Sequence, residues 1–270
     1  MANARVIVIT SGKGGVGKTT TTANIGMALA ALDQRVVLLD ADIGLRNLDL
    51  ALGLENRVVY NIVDVVTGRA TVKKALIRHK DMQNLSFLPA AHHRDRGNVT
   101  PDQMVPILDE IKQEGFDFIL IDCPAGIDQG FAIATVGADE AIVVTNPEMS
   151  SVRDADVILG LLETQGLKNA KLIVNRIRPS MAEAGEMLKV DEVQEILGNN
   201  IELIGVVPDD ESIITSTNVG KPAALVESSV AGQAYRNIAR RLMGEDVPFL
   251  VLDANKPGGF FSKIKKLFGG

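Results

Sequence analysis

Ser11-Gly12-Lys13-Gly14-Gly15-Val16-Gly17-Lys18-Thr19-Thr20 decides how the rest of the chain is read. From Gly12 to Thr19 it fits the pattern G-x-x-x-x-G-K-[ST]. The apolar run Val6-Ile7-Val8-Ile9 just upstream reads as a buried strand, and residues 20–32 just downstream have helical spacing. A glycine-rich turn between strand and helix lets backbone N–H groups curl around an anion, and the helix N-terminus adds positive potential. In this pattern Gly14, Gly15, Val16 and Gly17 cradle phosphates, flanked by Gly12, Lys13 and Thr20. Lys18 reaches the β/γ oxygens, and the Thr19 hydroxyl suits Mg²⁺. Lys13 is a second lysine that the general pattern does not require.

Outward from the loop, strand and helix patterns alternate. Strands are expected at residues 5–10, 35–40, 85–89, 116–122, 140–145, 171–175 and 201–207. Continuous apolar runs such as Phe118-Ile119-Leu120-Ile121 suit parallel strands covered on both faces. Helices are expected at 101–114, 151–165 and 229–243; the first has Thr100 as N-cap, Pro101 at the first position and Gln103 for a capping box. The order predicts an α/β phosphate-loop fold: a mostly parallel sheet of seven or eight strands with helices on both faces. Residues 1–245 form its one domain, 246–258 a Pro- and Gly-containing tether, and 259–270 a short module.

Two acidic features fall at strand ends, where the ligand crevice of an α/β sheet lies. In Asp40-Ala41-Asp42, the first carboxylate suits a Mg²⁺ ion held through water, and the second suits orienting or deprotonating an attacking water. The competing use of such a pair is a helix cap. Asp122 ends a second apolar strand and suits the metal side of the same site. Pro124-Ala125-Gly126 follows as a switch loop, in which Gly126 can present its N–H to a γ-phosphate.

Composition narrows the classes. The 270 residues are 46% hydrophobic, ample for a core, and carry a net charge of −6. That balance argues against a protein that coats nucleic acid. One cysteine, Cys123, excludes an intramolecular disulfide or a single-chain thiolate cluster and reads as a packed residue. No apolar run approaches the roughly 20 residues of a spanning helix, and no secretory layout precedes Val6. A cytoplasmic protein with peripheral membrane contact is expected.

That contact falls at the end of the chain. Phe260, Phe261, Ile264, Leu267 and Phe268 share one helical face, flanked by Lys263, Lys265 and Lys266. The three lysines and no acid at 260–270 leave the rest of the chain at −9. Each lysine near an anionic surface is worth about 1 kcal/mol. One such tail binds weakly, and two joined in a dimer gain by effective concentration. The other use of such a helix is docking on a protein surface.

Gly12-Lys13-Gly14-Gly15-Val16-Gly17-Lys18-Thr19 resembles the deviant Walker A motif of the ParA/MinD family of ATPases. Also similar to that family are Asp40-Ala41-Asp42-Ile43-Gly44-Leu45-Arg46-Asn47-Leu48-Asp49, Asp122-Cys123-Pro124-Ala125-Gly126-Ile127, the stretch from Thr145 to Asp156, and the closing residues from Gly259 to Gly270. The resemblance spans essentially the whole chain; one departure is Cys123, where relatives commonly carry serine. It implies that Lys13 crosses a nucleotide-sandwich homodimer to the partner's phosphates, which makes Lys13, Lys18 and Asp42 the catalytic set; the residues alone leave Lys13 equally open as a solvated loop lysine. It points to Asn175, Arg176, Pro208, Asp209 and Asp210 for the adenine, with helix capping as the other use of Asn175. It implies ATP and Mg²⁺ as ligands, membrane attachment in the ATP state, a MinC-like division inhibitor docking near Asp154, and a MinE-like activator. Within the same fold, a DNA-partition ATPase needs a basic surface, an iron–sulfur carrier needs paired cysteines, and a flagellar-number regulator is close in sequence.

Overall fold

The structure, a computed structural model, describes residues 4–43, 45–91, 99–198 and 201–252. In chain order the elements are β1 (Arg5–Thr10), α1 (Lys18–Ala31), β2 (Val36–Asp40), α2 (Leu48–Leu52), α3 (Ile62–Val66), α4 (Val72–Ala75), β3 (Ile77–Arg78), β4 (Leu85–Leu88) and α5 (Pro101–Gln113). There follow β5 (Phe118–Asp122), α6 (Gln129–Thr135), β6 (Glu140–Thr145), α7 (Met149–Thr164), β7 (Lys171–Ile177), α8 (Pro179–Glu183), α9 (Val190–Leu197), β8 (Glu202–Pro208), α10 (Ser212–Asn218) and α11 (Val230–Leu242). The sheet has eight strands in the order β3-β4-β2-β5-β1-β6-β7-β8. All neighbours run parallel except β3, which pairs antiparallel with β4.

The continuous apolar runs divide by period two between the faces of the sheet. Val6, Val8, Val37, Leu39, Ile119 and Ile121 enter one core with residues from α3 to α7 and α9. Ile7, Ile9, Leu38, Leu120, Ile142 and Val144 enter the other, under α1, α2 and α11. The expected capping box of α5 is present, with the Thr100 N–H on Gln103 Oε1 at 3.0 Å. The expected strands and long helices appear within a few residues of their sequence bounds. Two-residue β3 and the one-turn helices α2, α3, α4 and α8 add elements too short to carry a period.

After β1 the chain crosses to β2 on one side of the sheet, while β6 lies on the other side of β1. The C-terminal end of β1 is therefore a topological switch point, flanked by the ends of β5 and β6.

Past 246 the chain keeps contact with the body through residues 247–250. Arg241 holds the segment that follows α11: its Nε donates to the Val247 carbonyl, Nη2 to that of Pro248, and Nη1 to that of Ile204 in β8, each at 2.9 Å. Its guanidinium lies 4.1 Å from the centre of the Phe249 ring. Val247 is buried, and Leu250 packs on the second core. Residues 259–270, and with them the proposed membrane helix, lie outside the described residues.

Replacing Arg241 with Ala should destabilise the protein by about 1–2 kcal/mol. Amide exchange at Val247, Phe249 and Leu250 should then rise above that of the wild type, and unchanged exchange there would remove the strap.

Candidate functional site

The phosphate loop sits at the switch point and is pinned from behind. At Gly12 a Cβ would run into the backbone carbonyl of Asp154 in α7. Gly17 has φ 104°, and a Cβ there would overlap Nδ2 of Asn175. That nitrogen donates to the Val16 carbonyl at 2.7 Å, which ties β7 to the loop. Gly17 is also the N-cap of α1 and offers no side-chain cap, so the first N–H groups of α1 lack the usual internal acceptor. Across the crevice, a Cβ at Gly14 would lie 3.7 Å from Cβ of Ala125 in the 124–126 loop.

The two lysines of the loop point to different places. Lys18 is buried, and its Nζ donates to Ser11 Oγ at 2.9 Å. Ser11 Oγ donates in turn to the Lys13 carbonyl at 2.8 Å. Burial lowers the proton affinity of Lys18, and Asp122 and Asp42 oppose that shift. Lys13 is 45% exposed. Its Nζ donates to Ser150 Oγ at 3.2 Å and stands 3.9 Å from Glu148, at the start of α7.

Asp40 and Asp122 are directly paired in the register of β2 and β5. Both carboxylates are buried. Burial raises the proton affinity of Asp40 well above the ordinary carboxylate range, with Asp122 adding to it. Burial pushes Asp122 up to about 7, against a hydrogen bond from Thr19 and the charge of Lys18. Thr22 Oγ1 lies 3.3 Å from Asp122 Oδ1. Asp42 is half-buried and is raised by burial, with Lys18 opposing. Buried carboxylates facing one ammonium are short of positive charge. Among the described residues no group of three or more His, Cys, Asp or Glu could hold a metal. Two carboxylates and the Thr19 hydroxyl nevertheless fit Mg²⁺, which keeps several waters and takes the rest of its shell from substrate phosphates.

A cavity of about 1130 Å³ opens beside the loop. Gly17, Thr20, Asn175, Arg176, Pro208, Asp209 and Asp210 all line it, so the expected adenine-side residues converge. Their functional groups are not equally free. Asn175 has spent one of its two amide N–H donors on Val16 and keeps Oδ1 as an acceptor. Asp209 is paired with Arg178 at 2.6 Å. Asp210 is a structural cap: Oδ1 accepts the Ser212 N–H at 2.8 Å, and Oδ2 accepts Ser229 Oγ and the Ala231 N–H, both at 3.0 Å. Arg176 is exposed at φ 58°. Arg178, Tyr235 and the wall from Met181 to Lys189 also line the cavity. No motif marks that wall in the sequence; only its position after a strand end could have raised it.

Of Pro124, Ala125 and Gly126, Ala125 lies beside the loop, and Pro124 and Ala125 line a second cavity of about 310 Å³. Cys123 is buried and pushed up to about 12, which leaves a packed neutral thiol. Asp154 is half-exposed on α7, its backbone against Gly12.

Residues 3–243 match the ParA family model, described as NUBPL iron-transfer P-loop NTPase. The septum site-determining protein MinD of Bacillus subtilis is 52% identical over 265 residues, covering 97% of each chain. The solved MinC:MinD cell division complex of Aquifex aeolicus aligns at TM-score 0.85 and 51% identity, over 91% of this chain and 98% of that one. MinD of Pyrococcus horikoshii complexed with Mg-ADP aligns at TM-score 0.78 and 31% identity, over 88% and 96%. With a phosphate loop on a mostly parallel eight-stranded sheet, and relatives of this closeness along nearly its full length, the chain belongs to the MinD family of septum site-determining P-loop ATPases within the ParA group.

Proposed function

We propose that the chain is a Mg-ATP-dependent membrane switch that dimerises face to face and helps place the division site. The observation that carries this reading is the divergence of the two loop lysines. Lys18 is enclosed on the metal side of its own crevice, whereas Lys13 rests outside it on Ser150 and Glu148. A loop that directs one ammonium inward and one outward can serve two phosphate chains, its own and a partner's.

The chain's own groups divide the work. The free N–H groups at the start of α1 and in the loop bind phosphate oxygens, and Lys18 neutralises the β/γ charge. Thr19, Asp40 and Asp122 hold Mg²⁺, whose chemistry when bound is charge neutralisation at the transferring group. Asp42 orients the attacking water and accepts its proton. The Asn175 acceptor suits the exocyclic amine of adenine, and Arg176 with the Pro208–Asp209 turn encloses the base. Lys13 from a second subunit completes the charge as an arginine finger does, so hydrolysis waits on dimerisation. The loop of Pro124, Ala125 and Gly126, with Ala125 facing Gly14, reports the γ-phosphate.

Closure of the dimer presents two tails, each with Phe260, Phe261, Lys263, Ile264, Lys265, Lys266, Leu267 and Phe268, to one anionic surface. No helix among the described residues is long and apolar enough to cross a membrane. The naming of a MinC:MinD complex for a 51%-identical neighbour supports a MinC-like inhibitor as partner, with the half-exposed Asp154 on its surface. A MinE-like activator would act on the stimulated dimer. The protein then cycles between the cytoplasm and the inner face of the membrane.

Sedimentation with anionic vesicles should retain the protein with ATP and release it with ADP, and Lys18→Ala should not be retained with either; equal retention in all three defeats the switch. Lys13→Ala should lower ATP turnover by about 10³-fold and abolish ATP-dependent dimerisation in light scattering. Because Lys13 is exposed and weakly paired, its melting curve should move by less than about 0.5 kcal/mol.

The buried Asp122 gives a pH signature. Its proton is held more tightly in the folded state, at about 7, than at the ordinary value of 3.8. Its contribution therefore favours folding at low pH and is lost as pH rises from 3.8 to about 7. Nucleotide-free Asp122→Asn should be more stable than wild type at pH 7.5 by roughly 1–3 kcal/mol. The stability gained from Mg²⁺ and nucleotide should weaken as pH falls below about 7 in the wild type and be absent in the variant. Melting curves from pH 5 to 8 test both, and a Mg²⁺ gain retained in Asp122→Asn contradicts the assignment.

A further inference from the structure

Arg46 lies in the chain between β2 and α2, and the chemistry above does not use it. It adopts the left-handed region at φ 41°, where a residue other than glycine is strained. Its side chain is 10% exposed, and its Nε stands 2.7 Å from Oδ2 of Asp49, whose side chain is 2% exposed. The contact is a close ion pair rather than an aligned hydrogen bond. Desolvating both charges of a buried pair can cost more than their attraction returns. A strained backbone and a buried pair thus coincide within a few residues of the acidic end of β2.

What they hold is specific. The Arg46 N–H donates to the Asp42 carbonyl at 3.2 Å. Two residues on, the Leu48 N–H donates to Oδ2 of Asp40 at 3.3 Å. From the other side, the Asp42 N–H donates to Oδ1 of Asp40 at 2.9 Å. Each oxygen of Asp40 therefore accepts from one end of the same loop, and Arg46 closes that loop. Asp49 is fixed as well: its Oδ1 accepts the Leu50 N–H at 2.8 Å, and its carbonyl accepts the Leu54 N–H at 2.9 Å.

We propose that the Arg46–Asp49 pair is a positioning latch for the metal side of the site: it keeps the N–H groups of Asp42 and Leu48 on Asp40, so that this carboxylate stays oriented toward the hydration shell of a divalent cation. Arg46 and Asp49 touch neither nucleotide nor metal; they act through Asp40. The inference rests on the Mg-nucleotide reading above. It separates the latch from a general brace, because a brace would weaken nucleotide binding with and without the metal.

The test is titration of the full chain with a fluorescent ATP analogue, first in EDTA and then across a Mg²⁺ series, for wild type, Arg46→Gly, Arg46→Lys and Asp49→Asn. Arg46→Gly removes the pair while relieving the left-handed strain. Arg46→Gly and Asp49→Asn should keep their metal-free affinity within about twofold, while the Mg²⁺ concentration at half-maximal tightening rises by about tenfold, as for other groups that orient a metal's ligands. Arg46→Lys keeps the charge without the fork and should recover part of that loss; it decides the matter if Arg46→Gly does not fold. An unchanged Mg²⁺ midpoint in folded variants, or an equal loss of metal-free affinity, overturns the latch. A wild type whose affinity ignores Mg²⁺ defeats the Mg-nucleotide reading itself.

Discussion

The bond from Asn175 Nδ2 to the Val16 carbonyl, 2.7 Å long, joins the two halves of the site. Val16 belongs to the loop that follows β1, and Asn175 to β7, two strands away across β6. The loop cannot move relative to the far half of the sheet without breaking it. Glycine at 17 is the complement of this bond, because any Cβ there would occupy the space of the amide. Gly12 does the same against Asp154 in α7. With the loop held from two sides, the first turn of α1 keeps its N–H groups directed into the crevice without a side-chain cap. On the proposed reading the anion site is built before any anion arrives, which lowers the cost of binding one.

The same rigidity sets the electrostatics. Asp42 and Asp122 lie near Lys18, and Asp40 stands beside Asp122, in surroundings that disfavour ionised carboxylates. Without a ligand this is a destabilising arrangement, since the buried charges exceed their local compensation. On the proposed reading a divalent cation supplies the missing positive charge, and a nucleoside triphosphate supplies the negative charge that the α1 terminus and Lys18 call for. On the proposed reading the two ligands are thus cooperative, each making the other's site less costly. The Arg46–Asp49 pair then has a physical reason to exist: a carboxylate with raised proton affinity needs N–H donors to stay an acceptor.

Much of the fold was legible because its determinants are local. Continuous apolar runs of four residues marked β1, β2, β5 and β6, and Thr100-Pro101 with Gln103 marked the start of α5. What escaped was either too short to show a period, such as β3 and α2 to α4, or set by distant partners. The sequence showed Asp40 and Asp122 as strand-ending acids but could not show that their strands are adjacent and in register. It offered Asn175 a full donor–acceptor edge, yet the fold uses half of that edge on Val16. Asp210 met the expected cavity, but its oxygens cap α10 and α11. The anchoring of residues 247 and 248 escaped for a like reason, because Arg241 reaches six residues forward to Val247 and across to β8. Long side chains that bond remote carbonyls leave no pattern in their own neighbourhood.

The placement of Lys13 bears on how such a switch keeps time. If the lysine were solvated, its free energy on meeting a partner's phosphates would come almost wholly from the new contact. Here it must first leave Ser150 and Glu148, both exposed and both weak partners at 3.2 and 3.9 Å. Such contacts are worth little in water, so the resting position directs the side chain without holding it back strongly. Its direction is what matters, because Ser150 and Glu148 lie at the start of α7, where Glu148 also lines the large cavity. A second subunit facing that rim would meet an ammonium already outside the crevice of its owner. On the proposed reading, pre-orientation of this kind shortens the search for the closed dimer and leaves the rate of hydrolysis to depend on how often two subunits meet.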